Sequence, residues 1–135
     1  MRIRVATKED YLWITRVIGK KNLPYCTANQ IKDDFTWHRL YCVYDRDKVL
    51  ATFSLVYDWQ FEYLALKRLC ILNKRNESKG IARFAVHSIL KYISGTKVGA
   101  TPWEDNVALR HILETEGFTL EYMFDGHWCF YSKEM

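Results

Sequence analysis

The chain has 135 residues, of which 49% are apolar and 16% aromatic, so residues 1–135 can close one hydrophobic core as a single domain, and a disordered polypeptide is excluded. Twenty basic against 16 acidic residues leave a formal charge of +4, a mild excess that suits anionic ligands without the density of a dedicated nucleic-acid binder. No apolar run approaches the roughly 18 residues of a membrane span, and the cysteines at 26, 42, 70 and 129 form no paired metal-ligand or disulfide pattern, so no metal is expected. In chain order, residues 1–6 (MRIRVA) alternate apolar and basic side chains, the period of a strand. Thr7 offers an N-cap with Asp10 at the reciprocal position of a capping box. Tyr11, Ile14, Thr15 and Ile18 then draw one face of a helix that ends near Gly19. After a loop, Thr27 and Gln30 repeat the capping-box signature. Ile31, Phe35 and His38 share a face of this second helix, and His38 reads as a partly buried helix residue. Residues 40–44 and 49–57 are strands joined by a polar turn, an antiparallel hairpin. A short connection leads to a long strand, residues 62–72.

The stretch that follows carries the chemistry. Residues 69–93 read LCILNKRNESKGIARFAVHSILKYI. A buried strand ends at Leu72, a basic loop containing Gly80 follows, and from Ile81 the apolar positions Phe84, Ala85, Ser88, Ile89, Tyr92 and Ile93 repeat with helical spacing. A helix start carries backbone N–H groups without intrahelical partners, together with partial positive charge. Gly80 admits an anion close to the backbone, small Ala82 keeps the first turn open, and Lys74, Arg75, Lys79 and Arg83 add positive charge. Such a junction suits a phosphate or pyrophosphate.

Gly95 then breaks the chain. Residues 97–101 (KVGAT) form a strand whose small residues let a ligand or a neighbouring backbone approach. A loop with Trp103 precedes a short helix over 107–116, with Leu109, Ile112 and Leu113 inward and Gly117 at its end. Residues 118–124 and 128–133 make a final hairpin around Asp125-Gly126. The order β-α-α-β-β-β-α-β-α-β-β predicts an α+β fold, a mixed central sheet with helices on both faces. Its βαβ unit, residues 62–101, should have parallel strands, with a ligand at the C-terminal end of the first.

Two motifs resemble one family. Residues 77–82, ESKGIA, are similar to the pyrophosphate loop of the GNAT (GCN5-related N-acetyltransferase) superfamily, Gln/Arg-x-x-Gly-x-Gly/Ala at a strand-to-helix junction. Gly80 and Ala82 match, and Glu77 departs. Residues 105–118, DNVALRHILETEGF, resemble the family's second block, and more narrowly that of the ribosomal-protein N-terminal acetyltransferase branch, through Asn106, Leu113, Glu114, Gly117 and Phe118. The resemblance implies a GNAT-like fold in which two parallel strands splay apart around acetyl-CoA or another acyl-CoA. Cys70, Ile71 and Leu72 would contact the pantetheine arm. Amides of Ser78, Lys79, Gly80, Ile81 and Ala82 would take the pyrophosphate, with Lys74, Arg75 and Arg83 around them. Asn106 would face pantetheine.

The implied reaction is N-acylation, most simply acetyl transfer to a primary amine of a small molecule or protein, in the cytoplasm, by a monomer or homodimer. The family's strand glutamate falls on Leu66, its serine on Leu109 and its tyrosine acid on Leu113. Glu62 is then the nearest carboxylate and would act as a base through water. The thiolate would be protonated by water or by the substrate ammonium. Tyr25, Trp103 and Tyr122 are the expected acceptor-side aromatics, with Trp59 and Trp103 otherwise read as core. Two alternatives stand beside this reading. One is an inactive GNAT-fold module binding CoA or a protein, told apart by CoA binding without thiol release. The other is a nucleic-acid-directed relative, told apart by strongly salt-dependent binding.

Overall fold

The computed structural model describes residues 1–21, 23, 26–73 and 80–135. Along the chain run β1 (Arg2–Val5), α1 (Lys8–Lys21), α2 (Ala28–Thr36), β2 (Leu40–Asp45), β3 (Lys48–Asp58), β4 (Tyr63–Ile71), α3 (Ile81–Tyr92), β5 (Lys97–Ala100), α4 (Val107–Thr115), β6 (Thr119–Phe124) and β7 (Trp128–Glu134). The fold is mixed α+β. Its strands are hydrogen-bonded in the order β1-β2-β3-β4-β5-β7-β6. β4 and β5 run parallel, as the βαβ reading predicts, while β1–β2, β2–β3, β5–β7 and β6–β7 are antiparallel.

The chain divides into two compact units, residues 1–55 with 68–81 and residues 56–67 with 82–135, so β3 and β4 each contribute to both. In the first unit both capping boxes form. Thr7 N–H donates to Asp10 Oδ2 at 3.0 Å and Asp10 N–H to Thr7 Oγ1 at 3.2 Å. Thr27 N–H donates to Gln30 Oε1 at 2.9 Å and Gln30 N–H to Thr27 Oγ1 at 3.3 Å. The two helices bury Ile14, Ile18 and Ile31 with Leu40, Cys42 and Leu72 in one cluster, and Tyr11 stacks on Phe35 at 4.5 Å. α1 runs through Gly19 to Lys21, two residues past its expected end, because a helix interior accepts glycine at a cost of only about 1 kcal/mol. α2 stops at Thr36. His38 is therefore not a half-buried helix residue. It lies beyond the helix, exposed, with φ +57°.

In the second unit α3 buries Ala85, Val86, Ser88 and Ile89, and α4 buries Leu113. Tyr92, expected on the same apolar face, is 86% exposed. It closes α3 one turn beyond Ile89, the last residue of the helix that is buried. Gly99 of β5 makes room for side chains and not for a ligand: a Cβ there would lie 2.7 Å from the Tyr63 ring and 2.9 Å from that of Phe130. Tyr131, fully buried on β7, donates its hydroxyl to Glu114 at 2.7 Å and accepts from Arg110 Nε at 3.1 Å. The β6–β7 turn carries positive φ at Asp125 (+51°) and Gly126 (+74°), the backbone of a two-residue hairpin loop that Asp-Gly favours.

Candidate functional site

β4 changes character halfway along. Its ladder with β5 covers Tyr63↔Lys97 through Leu66↔Ala100, but the strand continues to Ile71. Between these points Arg68 has φ +53°, a left-handed residue inside a strand, which bends the strand and re-aims its hydrogen-bonding groups. Farther on, Leu72 N–H donates to the Leu50 carbonyl of β3 at 3.0 Å. Backbone groups alternate between the two edges of a strand. Those of Ile71 and Leu69 therefore face the edge away from β3, while those of Leu72 are committed to β3 and its side chain is buried. Of Cys70, Ile71 and Leu72, the three residues expected along this strand, Ile71 has its backbone groups on the edge away from β3, and the Leu72 N–H is on the edge toward it. Leu69 was not singled out in the sequence.

Arg68 is held from below by a carboxylate. Its Nε and Nη2 each donate to Asp34 at 2.7 Å, and Ser54 Oγ donates to the same group at 2.6 Å. Arg39 Nη2 lies 3.6 Å away. The Asp34 side chain is 1% exposed. The sequence reading gives Asp34 no part in the site. The signal was available: three residues after Ile31 and one before Phe35, it falls on the inward face of α2.

α3 begins directly after Gly80, whose φ is +73° and whose missing Cβ would meet no atom within 4 Å. Conformation, not crowding, requires glycine there. Ile81 is buried under the first turn, Ala82 is half-buried, and Arg83 is exposed. Arg83 Nε reaches Glu116 Oε1 at 3.5 Å, and His87 Nδ1 lies 2.9 Å from Glu116 Oε2. These contacts hold the Glu116 carboxyl below its ordinary range, His87 contributing most. The expected phosphate contacts Lys74, Arg75, Ser78 and Lys79, and the acceptor-side Tyr25, lie outside the described residues.

The second block has structural work at every matched position. Asn106 caps α4, its Oδ1 accepting from Leu109 N–H at 3.2 Å. Leu113 is buried, Glu114 receives the Tyr131 hydroxyl, Gly117 has φ +93° and Phe118 is buried. Glu62 sits in the exposed turn ahead of β4, with φ +54°. From there to Leu66 is four residues of chain, roughly 13 Å. Trp103 packs edge-on against Trp128 at 4.7 Å and stacks on His127, also at 4.7 Å, and His127 Nδ1 lies 2.8 Å from Glu104. Tyr122 is exposed on β6 and stacks on Phe130 at 5.1 Å. Trp59, read as core, is 83% exposed and meets only the edge of Tyr57 among the described ring contacts; it rides the turn between two strands, outside any layer that covers it. Among the described residues no cluster of ligating side chains suits a metal, and no helix is long and apolar enough to cross a membrane.

No family model matches the sequence, and no curated protein matches it. The structure is similar to that of a GNAT-family acetyltransferase from Streptococcus agalactiae, with a TM-score of 0.83 and 18% identity over 99% of this chain and 95% of that one. A GNAT-family acetyltransferase from Bacillus cereus superposes with a TM-score of 0.78 and 15% identity over 98% and 96%. A variant of the spermidine N-acetyltransferase SpeG from Vibrio cholerae gives 0.72 and 17% over 98% and 94%. At these identities the likeness speaks for the fold: this chain has the fold of the GNAT-family acetyltransferases.

Proposed function

We propose that the protein is an acyl-CoA-dependent N-acyltransferase that passes an acyl group, acetyl in the simplest case, to a primary amine of a small molecule or protein. One observation carries the reading. β4 outruns its ladder with β5 after Leu66, and the chain then leads to a helix preceded by a left-handed glycine. The edge of β4 bearing Leu69 and Ile71 offers backbone groups to the pantetheine amides. The first-turn amides of α3 offer partial positive charge to the pyrophosphate, with Arg83 beside them, and Lys74, Arg75, Ser78 and Lys79 remain the further contacts proposed for it. The Asn106 side-chain nitrogen is available to pantetheine while its oxygen caps α4.

The amine nitrogen attacks the thioester carbon, the C–S bond breaks, and the CoA thiolate takes a proton. Leu113 is fully buried and has no proton to give, so the ammonium formed on the substrate, or water, supplies it. Glu62 stands in an exposed turn and reaches the reacting amine only through water. Tyr25, Trp103 and Tyr122 remain the aromatics proposed for the acceptor side. The second block does not narrow the acceptor to ribosomal proteins, because its matched residues already cap, pack and terminate α4.

Calorimetric titration with acetyl-CoA tests the reading. Wild type should bind, and Gly80→Glu, which adds both a side chain at positive φ and a negative charge, should not. No binding to wild type overturns the proposal. The buried Leu113 favours one second reading, a CoA-binding module without turnover. Binding without thiol release against a broad amine panel would establish that instead.

A further inference from the structure

Asp34 is a carboxylate where the α2 pattern calls for an apolar side chain. Its side chain is 1% exposed, and burying a charge so deeply is unfavourable unless partners surround it. They do: Ser54 Oγ of β3 at 2.6 Å and the two nitrogens of Arg68 of β4 at 2.7 Å each. An apolar pair of similar volume would pack α2 against β3 and β4 at least as stably, so packing alone does not account for the arrangement. What a forked guanidinium–carboxylate pair adds is direction. Arg68 is the residue with φ +53° in mid-strand, a conformation that an L-residue other than glycine leaves unless it is held.

We infer that Asp34 is a positioning residue: through Arg68 and Ser54 it locks the left-handed residue in β4, and the conformation of that residue decides which backbone groups face the acyl-CoA. A residue that leaves the left-handed region re-aims the backbone groups that follow it, so release of Arg68 would turn those of Leu69 and Ile71 out of their present edge. The ligand in this inference rests on the acyl-CoA reading given above. The clamp itself does not.

Three variants decide the matter: Asp34→Asn, Asp34→Asn combined with Arg68→Gly, and the milder Ser54→Ala. Amide hydrogen exchange at Leu72, whose N–H donates to Leu50 of β3, and calorimetry with acetyl-CoA are read on each. Asp34→Asn should speed exchange at least about tenfold and weaken acetyl-CoA binding about tenfold. Glycine adopts positive φ without help, so the double variant should bind within about threefold of wild type, a rescue that simple loss of stability does not produce. Unchanged exchange and affinity in a folded Asp34→Asn protein overturns the inference, and so does failure of the double variant to recover affinity. If Asp34→Asn does not fold, Ser54→Ala takes its place, with faster exchange at the Leu72 amide expected and unchanged exchange counting against the clamp. If wild type binds no acetyl-CoA, the functional reading fails by itself, and the exchange comparison still decides the clamp.

Discussion

Four helices begin in two ways. α1, α2 and α4 each close their first turn with a side chain from the residue before it: Thr7 on the Asp10 amide, Thr27 on the Gln30 amide and Asn106 on the Leu109 amide. α3 is preceded by Gly80, which has no side chain to give and holds φ +73°. A side-chain cap adds about 1 kcal/mol to a helix, so the first three starts serve folding. The glycine forgoes that gain. The comparison between α4 and α3 is the sharpest, because each follows a strand of the same parallel pair.

The comparison breaks first at Gly80. Gly80→Val forces a β-branched residue into the left-handed region, at a cost of about 1–3 kcal/mol, and should weaken acetyl-CoA binding about tenfold or more by calorimetry. Gly80→Asn, which tolerates that region, should stay within about threefold. Equal binding by the valine variant would show that the open helix start has nothing to do with the ligand. At α4 the effect should be on stability. Asn106→Ala should lower unfolding free energy by about 1 kcal/mol in denaturant titration. Asn106→Asp keeps a capping oxygen and should preserve stability while losing acetyl-CoA affinity several-fold, about the worth of one hydrogen bond. If both properties survive in the aspartate variant, Asn106 is a cap and nothing more.

A smaller effect should appear in acid. Glu116, at the C-terminal end of α4, has its carboxyl lowered by His87 first and then by Arg83. A depressed carboxyl contributes stability above its unfolded pKa, near 4.3, and loses it as pH falls through the folded value. Glu116→Gln should therefore be less stable than wild type at neutral pH by at most about 1 kcal/mol, because both partners are exposed. The two proteins should converge in thermal melts as pH drops below that range. The smallest effect is expected for Glu62→Gln, whose pH–rate profile should match wild type to within about twofold. A lost acid-side limb would establish Glu62 as the base.

Much of the fold was legible because local rules agreed with one another. Both predicted capping boxes formed, the Asp-Gly pair turned the last hairpin, and the apolar spacing from Ile81 marked the buried face of α3 up to Ile89. What escaped was long-range. Asp34 and Arg68 are 34 residues apart in sequence, and no periodicity announces an ion pair between a helix and a left-handed strand residue. The bond from Leu72 to β3 was also invisible, since which edge a residue faces depends on the left-handed residue before it. His38 and Tyr92 were misplaced for a common reason: a spacing rule gives the face of a helix but not where the helix, or the core beneath it, ends.

All six residues of β6 are exposed, and the strand stands last in the sheet order. Its sequence, TLEYMF, contains a single charge, Glu121, and Lys97 and Ser132 hold that carboxyl below its ordinary range. An open strand edge rich in large apolar residues is a template for adding another strand, and an edge charge is one way chains resist this. On that edge the one charge is an acidic side chain, which its neighbours keep ionised into mild acid.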